Sequence, residues 1–63
     1  MMKEVATIKF KDAETSDDAV AIIRNDEGVV AICLSVLGGS DVEVVMRKAD
    51  ASALLEALKA AVT

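Results

Sequence analysis

The sequence predicts an α+β fold, a four-stranded antiparallel β-meander followed by one C-terminal α-helix packed on one sheet face, in the order ββββα. Three observations point to it. Val29-Val30-Ala31-Ile32-Cys33-Leu34-Ser35-Val36 is a strand-like run with no charge on either face. Turn signals flank it, Asn25-Asp26-Glu27-Gly28 before and Gly38-Gly39-Ser40 after. From Asp50 onward the apolar spacing becomes that of a helix.

The first strand spans Glu4 to Lys11, where Ala6, Ile8 and Phe10 face one way and Val5, Thr7, Lys9 and Lys11 the other. Asp12 to Asp18 reads as a polar loop. Residues 19 to 25 are compatible with two states, because Ser16 can cap a helix with Asp17 and Asp18 in its first turn, and Ala19, Val20, Ile22 and Ile23 tolerate helical spacing. A strand is preferred. Asn25 and Gly28 stand at the ends of a type I turn, with Gly28 free to adopt the left-handed conformation of a three-residue hairpin loop. Pairing Asn25 with Val29 then sets Val20 and Ile22 opposite Leu34 and Ile32, an agreement of register and pattern that a helix would not explain.

At the next turn, a three-residue loop Gly38-Gly39-Ser40 pairs Val36 with Val42, Leu34 with Val44 and Ile32 with Met46, so the bulky face continues across. A two-residue Gly-Gly turn would set Ser35 opposite Val42 and break that continuity. Asp50 is the expected helix N-cap, and Leu54, Leu55, Leu58, Ala61 and Val62 form one stripe. Laying that stripe on the bulky sheet face gives a core of Ile8, Phe10, Val20, Ile22, Val30, Ile32, Leu34, Val36, Val42, Val44, Met46, Leu54, Leu55 and Leu58.

The other face is unusual in its middle. Ala19, Ala21, Ile23, Val29, Ala31, Cys33 and Ser35 make an uncharged centre, with Lys9, Glu43 and Arg47 on the flanking strands. An uncharged centre in a charged rim has the anatomy of a modest interface, so these seven residues are expected to form the self-association face of a homodimer. The plainer alternative is a solvated face of small residues that needs no partner.

Length favours association. A chain of 63 residues forms one domain, from about Lys3 to Val62, and a domain of this size buries only about 60% of the surface its unfolded chain exposes. One cysteine and no histidine leave neither an internal disulfide nor the usual zinc ligands to staple it. Doubling is the remaining route.

No apolar run approaches the roughly 20 residues of a membrane span, and Met1-Met2-Lys3-Glu4 lacks the pattern of a signal peptide, so a cytoplasmic protein without membrane partners is expected. The lone Cys33 agrees with a reducing compartment. The net charge of −4 is local: residues 1 to 11 carry +2, residues 12 to 28 carry −5, and the rest −1. Such a balance disfavours nucleic-acid backbones and anionic membranes and suits a basic partner.

Catalysis has little to work with, since histidine, tyrosine and tryptophan are all absent. Cys33 sits mid-strand without a base to activate it, so an inert thiol is expected and no enzyme activity is assigned. The acids Asp12, Glu14, Asp17 and Asp18, joined by Asp41 from the Gly38-Gly39 end of the sheet, match no calcium-loop spacing; no metal and no cofactor are expected, and these five are candidates for contact with a basic protein. Gly38-Gly39 lacks the Lys and Ser/Thr of a phosphate loop and joins two strands.

The element order is similar to that of PC4-type single-stranded nucleic-acid binders, which dimerise. The likeness is of element order alone. Basic strands and base-stacking aromatics are expected in such proteins, and this chain has one phenylalanine and net negative charge, so no residue is carried over. The expected function is that of a small non-enzymatic protein-interaction module, homodimeric, in the manner of an acidic inhibitor or accessory protein. A PC4-like nucleic-acid-binding dimer is the alternative.

Overall fold

Alternating side chains between Asp- and Gly-rich turns fold most of the chain into one antiparallel sheet, seen in a computed structural model that describes Met1–Thr63. Its elements are β1 (Lys3–Lys11), β2 (Asp18–Asp26), β3 (Val29–Val36), β4 (Val42–Arg47) and α1 (Lys48–Val62), and the strands lie in the order β1-β2-β3-β4. The ββββα meander is therefore the observed fold, and residues 18 to 26 are strand, not helix.

The register of the first hairpin differs from expectation by one residue. Asp26 pairs with Val29 and Asn25 with Val30, closing a two-residue loop of Glu27 and Gly28. Gly28 does take the left-handed conformation, with φ 75°, while the Asp26 carboxylate accepts the Glu27 N–H at 2.8 Å. Because side chains alternate, this slip turns every residue of β2 over. Ala19, Ala21 and Ile23 now stand opposite Val36, Leu34 and Ile32 on the bulky face, whereas Val20 and Ile22 stand opposite Ser35 and Cys33. The same assignment satisfies β1, where Ala6, Ile8 and Phe10 pair with Ile23, Ala21 and Ala19, and Val5 is the extra residue of a bulge.

At the second hairpin the slip is two residues, which leaves the faces unchanged. Leu34 pairs with Val42, Ile32 with Val44 and Val30 with Met46. Leu37–Asp41 closes it: Gly39 donates to the Val36 carbonyl at 2.9 Å and Gly38 has φ 82°, the third turn position that type II geometry reserves for glycine.

The helix departs furthest from expectation. It starts at Lys48, directly after β4, with Arg47 as an extended N-cap that makes no side-chain capping bond; Asp50 lies in the first turn, where its charge suits the helix dipole. Lys48 donates to the Gly28 carbonyl at 3.3 Å, and α1 touches only β4 and β3. Beyond Ala51 every helical residue is exposed, and none in the helix is fully buried. The helix thus makes only slight contact with its own sheet: Leu54, Leu55, Leu58 and Val62 remain 39 to 80% exposed.

The protomer consequently has almost no interior. Only Ala19 and Ala31 are buried. Its radius of gyration, 12.7 Å, exceeds the roughly 10.6 Å of a compact domain of this length. Its accessible surface, 4968 Å² for 6.6 kDa, exceeds by about 1,100 Å² what a folded monomer of that mass exposes. No helix is long and apolar enough to cross a membrane.

Candidate functional site: an open apolar face

Cross-strand pairing assembles one face of the sheet from Ala6, Ile8 and Phe10 of β1, Ala19, Ala21 and Ile23 of β2, Val30, Ile32, Leu34 and Val36 of β3, and Val42, Val44 and Met46 of β4. Its only charged residue is Lys3, at one corner opposite Asn25. Ile8, Phe10, Leu34, Val42 and Val44 nevertheless keep 47 to 57% of their surface in contact with solvent. Four strands spaced about 4.8 Å apart give a platform roughly 14 Å across between its outer strands. The apolar stripe of α1 is a second exposed surface of the same chemistry.

The seven residues expected to form one self-association face do not share a face. Val29, Ala31, Cys33 and Ser35 lie on one side, Ala19, Ala21 and Ile23 on the other. The side that holds Ala31 is charged, with Glu4, Lys9, Lys11, Asp18, Arg24, Asp26, Glu43 and Arg47 around it. Arg24, opposite Ala31, and Glu43, opposite Cys33, meet across β3 at 3.5 Å. These long side chains cover the strand between them, and Ala31, at 1% exposure, is the most buried residue of the protein. The small side chains of β3 make room for that ion pair. One sequence signal could have revealed this arrangement: Asp18, Arg24 and Asp26 share the parity of Val20 and Ile22, and three charges belong on the solvated face.

The acids divide into structural and free groups. Asp12 builds its own loop, accepting the N–H of Glu14 at 2.8 Å and of Thr15 at 3.2 Å, next to Ser16 at φ 67°. Asp18 pairs with Lys11 at 2.5 Å, and Asp41 accepts the Ser35 hydroxyl at 2.6 Å. Glu14 and Asp17 make no side-chain ion pair and are exposed at the loop. All five belong to the same end of the sheet, since Lys11, Asp18, Val36 and Val42 are strand ends that lie side by side there. They do not converge on a point, because no three carboxylate or thiol groups stand together in metal-ligating geometry.

The one concavity, about 430 Å³, lies at the β1–β2 edge and is lined by Lys9, Phe10, Asp18, Ala19 and Val20. Cys33 is half-buried in mid-strand, on the charged face beside Glu43. No family model, no curated protein and no solved structure matches the chain.

Proposed function

We propose that this chain is a non-enzymatic protein-interaction module that works as a homodimer, burying its apolar sheet face and leaving its charged face and acidic loop outward. The single observation that carries this is the uncharged platform whose residues Ile8, Phe10, Leu34, Val42 and Val44 are each about half open to water. Monomers rarely leave so large an apolar surface uncovered, because each Å² withdrawn from water stabilises by about 25 cal/mol. The excess of about 1,100 Å² per protomer compares with the roughly 800 Å² that each partner contributes to a standard interface.

The outward surface then sets the choice of a second partner. With net charge −4 and unpaired Glu14 and Asp17 at one end of the sheet, the dimer suits a basic protein surface and repels phosphate backbones.

Sedimentation equilibrium of the parent protein over a wide concentration range tests the assembly. A dimer at low micromolar concentration is expected, and a monomer that persists at high micromolar concentration overturns the proposal. Titration with single-stranded oligonucleotides tests the nucleic-acid alternative, for which salt-dependent binding at physiological ionic strength would be decisive.

A further inference from the structure

We infer that the two protomers exchange helices, the apolar stripe of each α1 lying on the open sheet face of the other chain. The inference rests on the homodimer proposed above and specifies its geometry.

The junction between β4 and α1 supplies the reason. Strand and helix are consecutive at Arg47 and Lys48, and the extended Arg47 (φ −69°, ψ 156°) passes straight into the first helical turn. A helix that folds back over the strand it follows needs a reversing loop, commonly 2 to 6 residues. Lys48 and Ala49, which would serve if the helix began at Asp50, are wound into the helix instead. The Lys48 to Gly28 hydrogen bond further ties the start of α1 to the β2–β3 turn. Leu54, Leu55 and Leu58 therefore stay 39 to 54% exposed, without cover from the apolar platform of their own chain.

A second copy offers what each chain lacks. Both unpartnered surfaces occur on one chain, so a two-fold arrangement satisfies them reciprocally, helix of one to sheet of the other, in a closed and self-limiting assembly. Their sizes agree: a 15-residue helix is about 22 Å long, and eight-residue strands such as β3 extend about 27 Å. A short hinge that forbids intramolecular closure is the ordinary cause of such exchange. The area agrees too, since two protomers with about 1,100 Å² of excess surface each reach the range of obligate homodimers.

Two measurements test the exchange. In a dimer mixed from isotope-labelled and unlabelled chains, inter-chain nuclear Overhauser effects are expected between the methyls of Leu54, Leu55 and Leu58 and the sheet-face side chains Ile8, Phe10, Ile32, Leu34 and Val44. Four Gly/Ser residues inserted between Arg47 and Lys48 should let the helix close on its own sheet, weakening dimerisation at least tenfold while the helical circular dichroism is retained. A dimer whose inter-chain contacts join only sheet to sheet or helix to helix overturns the exchange but leaves the homodimer standing, as does an inserted variant that dimerises as tightly as the parent. A monomeric parent overturns both.

Discussion

The two faces of this sheet share one backbone and each holds one of the two buried residues, Ala19 and Ala31, but they shield their central strands differently. The charged face contains Ala31, the most buried residue, because Arg24 and Glu43 arch toward each other across β3. The apolar face contains Phe10, Leu34 and Val44, which stay 47 to 50% exposed. Burial within one sheet is decided by the reach of the flanking side chains, whereas burial of a whole apolar face requires a second layer. On the charged face an ion pair shields the central strand, and on the apolar face Phe10, Leu34 and Val44 have no such cover within the chain.

The sharpest way to break this contrast is a charge at the centre of the apolar face. Leu34→Asp should abolish the dimer, because leaving an unpaired charge in a buried site costs about 3 to 5 kcal/mol and a two-fold assembly suffers it twice. Sedimentation should find a monomer where a dimer is expected for the parent; an unchanged mass would mean that this face is not the interface.

A smaller loss is expected from the second layer. Leu58→Ala removes a stripe residue that is 54% exposed in the protomer, so in a monomer it should change stability little. If the dimer buries it, thermal or denaturant unfolding should show a loss of about 2 to 5 kcal/mol per site. The parent's unfolding midpoint should also rise with protein concentration, as linkage to association demands.

Gly28→Val addresses the turn that assigns β2 to its faces. No atom lies within 4 Å of the added Cβ, but φ is +75°, so the cost is backbone strain of about 1 to 2 kcal/mol, measurable by denaturant unfolding. A neutral result would mean that the hairpin closes without a left-handed residue and that the face assignment is not anchored there.

Effects on the charged face should be smallest. Ala31→Arg displaces the Arg24–Glu43 pair into solvent and should cost about 1 kcal/mol with no change in sedimenting mass. Dissociation of the dimer by this variant, with Leu34→Asp harmless, would reverse the roles of the two faces. Glu43→Gln should cost at most about 1 kcal/mol and less in high salt, since both partners are substantially exposed.

Much of the fold was legible in the chain, and the candidate site was legible only in part. The alternation in β1, β3 and β4 placed Ile8, Phe10, Ile32, Leu34, Val42, Val44 and Met46 on one face, and the structure keeps them together. The expected face assignment failed at β2. Its residues 19 to 23, Ala-Val-Ala-Ile-Ile, are apolar at both parities, so neither face assignment offends the hydrophobic pattern. The parity of Asp18, Arg24 and Asp26 was the weaker signal that pointed the right way.

By itself the sequence determined the order of elements, the bulky face of three strands and the apolar stripe of the helix, because each follows from local periodicity and turn chemistry. Tertiary structure alone decided two things. A two-residue loop at Glu27-Gly28 turned β2 over, and the direct passage from Arg47 to Lys48 left the helix only slight contact with its own sheet. Both are differences of one or two residues in where an element begins or pairs. An N-cap side chain is worth only about 1 kcal/mol, yet such local choices decide which apolar surface of the chain meets another and which is left facing water.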